Sequence, residues 1–181
     1  MILRHDTLPA LAAAAALVNT EGRATEHLPD VAALHDLVRT WDWAGQHSCT
    51  ETDLQAVRQL RPRLRQLWQA RDEDEVVQII NRLLRTAHAL PQLIRHDGWH
   101  YHLHATPSNG KLATRLAVGA AMAVAGLIQD QQLSRLRFCA YTGCDNVVID
   151  LSKNRSKQYC EHGCGNRAAV AAYRARKAAR G

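Results

Sequence analysis

The C-terminal fifth of this 181-residue chain holds four of its five cysteines, arranged as two close pairs. Four residues lie within the first pair, three lie within the second, and fifteen separate the two pairs. Pairs at such a separation can converge on one tetrahedral ion, and zinc accepts four thiolates at about 2.3 Å each. The spacing therefore predicts one zinc site per chain, with the ligands Cys139, Cys144, Cys160 and Cys164.

Two other arrangements of these side chains remain open. The cysteines could form two disulfides, although the chain shows no convincing secretory segment and a reducing cytoplasm would break such bonds. His162 lies inside the second pair and could replace one thiol as a ligand. A site closed by four thiolates has no open coordination position, so its zinc would be structural rather than catalytic.

The residues around the cysteines predict turns, a hairpin and a helix. Gly143 precedes the second thiol, where a tight turn must direct backbone amides toward sulfur. Residues 147–149 form a short β-rich run, and residues 158–159 are predicted to return as its partner strand. Helical sequence begins at Cys164, so the last ligand would lie in the first turn of a helix. This arrangement is treble-clef-like.

The cysteine module resembles a known family. The sequence Cys-Gly-Asn-Arg at residues 164–167, an aromatic residue before Cys160 and a glycine before Cys144 resemble the CGNR zinc finger over residues 136–177. In that family the finger closes a bacterial protein whose larger N-terminal part is called the ABATE domain. Such proteins are described as stress-induced transcription regulators. Upstream, the stretches at residues 16–20 and 28–31 resemble the start of an ABATE domain.

The predicted fold is mainly α with a short β-hairpin. An α-helical ABATE-like domain is expected over residues 1–132 with a core of its own, and the zinc finger over residues 133–181. Aromatic residues make up only 5% of the chain, so the core should consist of Leu, Val and Ala on helices. Capping signals predict helix starts at Thr7 and Thr50, and the stretch at residues 28–30 is predicted to open another helix. An apolar helix is predicted over residues 111–129. Arginines along residues 58–71 are expected on a solvated helix face, with an anion-binding face as the alternative.

Residues 99–106 change to a two-residue period after an Asp-Gly turn. This alternation predicts a strand that pairs with residues 92–95. The histidines of the strand would project from one face, and they are His100, His102 and His104. They could bind a second metal or an anion, although a polar sheet face is the simpler interpretation.

The net charge of +6 is concentrated at the C-terminus. Residues 135–181 contain ten basic and three acidic residues, a net +7, whereas residues 1–134 contain 13 and 14, a net −1. A basic module on a near-neutral body is typical of nucleic-acid contact, with a solvated basic tail as the alternative. The candidate nucleic-acid contacts are Lys153, Arg155, Lys157, Arg167, Arg174, Arg176 and Lys177. Arg167 could instead brace the metal site.

Three functions compete. The first is a DNA-binding transcription regulator with a helical sensing or assembly domain, and the second is a zinc-stabilised module for protein assembly. The third is an enzyme such as a nuclease, since some treble-clef folds host that chemistry. It is not expected, because no cluster of His, Asn or carboxylate residues lies beside the knuckle, and because the sequence lacks a phosphate-binding glycine loop, a Gly-x-Ser-x-Gly elbow and a His-Glu-x-x-His helix. A small ligand of the helical domain and a homodimer remain open. The apolar run at residues 116–128 is shorter than the roughly 20 residues that span a bilayer, so a cytoplasmic protein is expected.

Overall fold

The computed structural model describes residues 7–22, 25–41, 49–95, 101–107 and 109–179. Within these residues the fold is mainly helical, and two small sheets of two antiparallel strands accompany the helices. The helices are α1 (Thr7–Val18), α2 (Val31–Thr40), α3 (Glu51–Gln69), α4 (Glu73–Thr86), α5 (Leu112–Gln129) and α6 (Cys164–Ala178). The strand pairs are β1 (Gln92–Ile94) with β2 (His102–His104), and β3 (Leu136–Phe138) with β4 (Val147–Ile149). The predicted fold class is confirmed.

Local signals account for the helix starts. Asp30 caps α2, where its carboxylate accepts a hydrogen bond from the backbone N–H of Ala33 at 2.8 Å. Thr50 and Asp53 form a reciprocal capping box at the start of α3. Each cap satisfies backbone donors that have no partner inside the helix. The helix starts predicted after residues 28–30 and after Thr50 are therefore confirmed.

Helix α5 lies at the centre of the fold and contacts α1, α3 and α4. By length and composition alone it could cross a bilayer, since its 18 residues are almost wholly apolar. Half of that span is buried inside the fold, and the core helix of a soluble protein passes the same test. The apolar character of α5 is thus explained by its position in the core.

The finger shares this core. Val147 and Ile149 of β4 are 1% and 3% exposed and belong to the same apolar cluster as α1, α3 and α5. The indole N–H of Trp68 in α3 donates to the backbone oxygen of Val148 at 3.0 Å. The core expected for residues 1–132 therefore extends into residues 133–181, and the division after residue 132 stays a prediction.

The hairpin of the finger differs from the predicted one. Strand β4 pairs with β3, which precedes the first cysteine pair, with Leu136 opposite Ile149 and Phe138 opposite Val147. The return strand predicted at residues 158–159 is wrong. That segment contributes a single backbone contact to the turn, where Gln158 O accepts from the N–H of Ala140 at 2.9 Å. The first cysteine pair thus occupies the connection between two paired strands.

The second hairpin matches its predicted pairing, with Gln92 opposite His104 and Ile94 opposite His102. Its turn, including His100, lies outside the described residues. Within the described part of the chain, the only group of three or more His, Cys, Asp or Glu side chains with metal-binding geometry is the cysteine cluster. The side chains of His100 and His102 lie outside the described residues, so a binding role of the histidine row stays a prediction.

Arg61 shows that the arginines of α3 are not all solvated. Its side chain is 5% exposed, and its two terminal nitrogens each donate to one carboxylate oxygen of Glu26 at 2.7 Å. It also donates to the hydroxyl of Thr20 at 3.0 Å. The hydrogen bonds from Arg61 are the main cause that lowers the pKa of Glu26 to about 2. Glu26 thus joins the loop after α1 to α3.

Replacing Glu26 by Gln should destabilise the protein by about 1–3 kcal/mol at neutral pH, because Arg61 would stay buried without a countercharge. This loss is smaller than the roughly 3–5 kcal/mol expected when a fully buried ion pair is broken, because the Glu26 side chain is 38% exposed and solvent screens its charge. The stabilisation is present above pH about 4.5 and is lost as the pH falls toward 2, since the folded-state pKa is the lower one. Urea unfolding at pH 7 measures the difference. The matched Glu75→Gln change, which removes the carboxylate partner of the mostly exposed Arg71, should cost clearly less, and equal losses would contradict the prediction.

Candidate metal centre

Each of the four cysteines is positioned by the end of a structural element. Cys139 directly follows β3, Cys144 ends the turn that leads toward β4, Cys160 precedes the last turn, and Cys164 is the first residue of α6. The residues before Cys144 and Cys164 are glycines with φ of +82° and +74°. Only glycine adopts that left-handed conformation without steric cost. Both pairs therefore close through a glycine turn, of which the sequence predicted the first.

The four sulfur atoms converge. Their Sγ atoms all lie within 4.8 Å of one another. The Sγ of Cys160 lies 3.5 Å from that of Cys164 and 3.8 Å from that of Cys144. A tetrahedron with metal–sulfur bonds of about 2.3 Å has edges of about 3.8 Å. The cluster therefore fits a single tetrahedral metal ion, and the four predicted cysteines are the ones brought together.

Burial makes the cluster dependent on a cation. Cys139, Cys160 and Cys164 are buried, and Cys144 is half-buried. The pKa of the Cys164 thiol is raised to about 12. Burial is the largest cause, and hydrogen bonds with the three neighbouring thiols also raise it. Thiolates in such surroundings need a positive charge to compensate them, which a bound divalent metal supplies.

Hydrogen-bond donors surround the sulfurs. A terminal nitrogen of Arg167 donates to the Sγ of Cys164 at 2.9 Å, and the same guanidinium lies 5.2 Å from the ring centroid of Tyr141. The side-chain amide of Asn146 donates to the Sγ of Cys160 at 3.4 Å. These donors favour the charged form of the sulfurs and fix their orientation. Arg167 therefore braces the metal centre.

Asn146 is a site residue that the sequence did not reveal. Besides its contact with Cys160, its backbone oxygen accepts from the N–H of Cys139 at 2.8 Å, so it touches both cysteine pairs. Its amide nitrogen also lies 3.2 Å from Nδ1 of His162. His162 thus faces Asn146 and is not a member of the sulfur cluster. The position of Asn146, two residues after Cys144, is the signal that could have drawn attention to it.

The candidate nucleic-acid contacts fall into two groups. On the segment before Cys160, Lys153 and Arg155 are exposed, Arg155 donates to the side-chain oxygen of Gln132, and Lys157 pairs with Glu161. On α6, three cations beyond Arg167 are exposed, and they are Arg174, Arg176 and Lys177. The helix thus presents the more accessible group.

The fold and site define a helical protein that ends in a metal-binding finger, and comparison with known families agrees. The model of the ABATE family, described as "Putative stress-induced transcription regulator", matches residues 11–131. The model of the CGNR zinc finger matches residues 135–177. The chain belongs to the ABATE family and carries a C-terminal CGNR zinc finger, whose name specifies zinc as the metal. No curated protein matches the chain.

The Val-Asn-Thr stretch at residues 18–20 joins the two matched regions. The side chain of Asn19 donates to the backbone oxygen of Val147 at 2.9 Å and accepts from its N–H at 2.8 Å. Asn19 thereby pairs with β4 as another strand would. Thr20 receives the hydrogen bond from Arg61 described above. These two side chains connect the helical part, the finger and the buried ion pair.

Proposed function

We propose that this protein is a bacterial, cytoplasmic transcription regulator that binds duplex DNA through its zinc finger. The observation that carries the proposal is the character of α6. The helix starts at the metal centre, only its first residue is buried, and it contains four basic residues and no acidic one. An exposed cationic helix is the kind of surface that attracts the phosphate backbone of DNA.

In this proposal one zinc ion per chain holds the finger in shape. The four thiolates fill the coordination positions of a tetrahedral ion, which leaves none for water or substrate. We therefore propose a structural metal and no enzymatic activity. The helical part, tied to the finger by Asn19 and Trp68, would serve as a sensing or assembly domain.

Different roles are proposed for the candidate cations. Arg174, Arg176 and Lys177 are exposed on α6 and would contact phosphates, as would Lys153 on the neighbouring turn. Arg167 is held at the sulfur of Cys164 and would act by positioning the helix. Arg155 and Lys157 already have partners, so they would add mainly to the positive potential of the surface.

A second candidate function is protein assembly through the finger. Exposed apolar side chains on the finger favour this function. Phe138 is 43% exposed, Val170 is 42% exposed and Tyr173 is 60% exposed. Aromatic residues such as Phe138 and Tyr173 are enriched at protein interfaces. The dependence of DNA retention on salt separates the two functions, since an apolar interface is only weakly sensitive to salt.

The affinity of the zinc-loaded protein for a labelled duplex should fall steeply as salt rises, because each neutralised phosphate releases counterions. Replacing both Arg174 and Lys177 by Ala should flatten the log–log slope by about one to two units and weaken all sequences alike. The measurement is a titration at several salt concentrations. As a control, Arg82→Ala with Arg85→Ala removes the same charge from the exposed surface of α4 and should leave the slope unchanged.

Lack of binding at low salt by a protein with its zinc content intact would reject the DNA function. In that case the exposed apolar residues would favour assembly. Equal effects of the α6 and α4 double variants would show that only the total charge matters, and that α6 is not the contact surface.

A further inference from the structure

Helix α6 stands almost free of the rest of the molecule. After Cys164 it has no buried residue, and its exposed side chains include Val170 and Tyr173. Six of its 15 residues are alanine, which has the highest helix propensity and explains why the segment stays helical without packing. An isolated helix of this length is nevertheless only marginally stable in water. A binding partner would therefore stabilise it.

The side chains of α6 are sorted by face. At 3.6 residues per turn, positions spaced by three or four share one side of a helix. A stripe with this spacing runs along α6 on the side opposite Cys164, and it consists of Asn166, Val170, Tyr173 and Lys177. We call these four residues the reading stripe. It points away from the metal centre that anchors the helix.

Cations border the reading stripe on both sides. Arg174 and Arg176 are two positions apart, which places them about 160° from one another around the helix axis. Neither side of the stripe carries an acidic residue. Two copies of this surface would repel each other, whereas a polyanion with two parallel rows of charge would complement it.

We propose that α6 enters the major groove of duplex DNA with Asn166, Val170 and Tyr173 of the reading stripe toward the base pairs. Lys177, at the end of the stripe, reaches a phosphate, and Arg174 and Arg176 face the two phosphate strands. This inference rests on the DNA-binding function proposed above. A helix with side chains is about 10–12 Å across, and the major groove is about 12 Å wide. The alanines keep α6 narrow enough for close approach.

The stripe has the chemistry to read bases. An asparagine such as Asn166 can bond both N6 and N7 of adenine, and the methyl groups of Val170 suit contact with the methyl of thymine. Tyr173 brings a hydroxyl that can donate or accept. From Asn166 to Lys177 the stripe covers about 17 Å along the axis, the length of about five base pairs. Arg167 takes no part in reading, because it is held at Cys164 and Tyr141.

The test begins with the zinc-loaded full chain and a pool of duplexes that share fixed flanks around 20 random base pairs. Affinity is then compared between the selected duplex and a shuffled duplex of the same composition. Asn166→Ala should reduce this preference by about five- to 150-fold, the equivalent of about 1–3 kcal/mol for a bidentate base contact, and Tyr173→Ala should also reduce it. Arg174→Ala should weaken both duplexes equally, and Ala175→Ser, on the face of Cys164, should change neither.

A second measurement identifies the groove. Replacing purines by 7-deazapurines removes the N7 acceptors, which lie in the major groove only. The wild-type preference should collapse on such a duplex and should thereafter be insensitive to Asn166→Ala. A preference that survives the replacement would overturn the major-groove proposal. Equal zinc content in all variants shows that the finger remains folded.

The outcomes separate this inference from the function on which it rests. Failure of the wild-type protein to bind any duplex at low salt rejects DNA binding itself. Binding without sequence preference, or with a preference that Asn166→Ala and Tyr173→Ala leave intact, keeps DNA binding and overturns the reading role of α6. Self-association that is lost with Tyr173→Ala, with no effect on DNA preference, would overturn it in favour of a contact between copies.

Discussion

Replacing Cys160 by serine should release the metal and unfold the finger. Cys160 is buried and its sulfur lies within 3.8 Å of those of Cys144 and Cys164, so its replacement removes one of the four ligands of the cluster. Structural zinc contributes about 10–16 kcal/mol of apparent binding energy to small fingers. The metal content of the purified protein, measured by plasma mass spectrometry, should fall from about one zinc per chain to near zero. Cys49→Ser, a cysteine outside the cluster, should retain the metal.

The effect should reach the helical part as well. Unfolding the finger removes Val147 and Ile149 from the common core and takes the hydrogen-bond acceptor of Trp68 away. We therefore expect the melting temperature of the helical part, and not only that of the finger, to be lower in the Cys160→Ser protein than in the Cys49→Ser protein. One tightly bound zinc in the Cys160→Ser protein would contradict the four-cysteine assignment.

Truncation after Gln132 should leave a protein that is helical but strongly destabilised. The five helices before that point keep most of the core, yet they lose β4, which covers α1 and contacts α3. Burial of an aliphatic side chain contributes about 1.5–3 kcal/mol, so the loss of Val147 and Ile149 alone costs about 3–6 kcal/mol. That is a large fraction of the roughly 5–15 kcal/mol by which domains are stable. Circular dichroism and urea unfolding measure the helix content and the remaining stability.

A chain that ends at Ala172 provides the control for this truncation. It removes only exposed residues of α6, keeps all four cysteines, and should be as stable as the full chain. An unfolded 1–132 fragment would show that the two parts form a single folding unit. A fragment as stable as the full chain would show that residues 1–132 are an independent domain, as the sequence predicts.

Features that depend on neighbours along the chain could be predicted from the sequence. The capping box at Thr50 depends only on residues within one helical turn, and the almost wholly apolar sequence of α5 indicates a buried helix. The cysteines belong to the same class, because a tetrahedral ion limits the residue types and spacings that can surround it. The left-handed turn at Gly143 was predicted for the same reason, and the structure adds a second at Gly163.

Only the tertiary structure decided which distant residues meet. Asn19 and Val147 are 128 positions apart, and no local rule links a polar residue after α1 to the edge of a strand in the finger. Arg61 lies in the same arginine-rich stretch as Arg63, which is exposed, yet it is buried in an ion pair with Glu26. Backbone spacing determines contacts within a turn or a metal knuckle, whereas contacts across the core depend on how whole helices pack. The sequence by itself therefore determined the helices and the cysteine site, and packing determined that the finger and the helical part share one core.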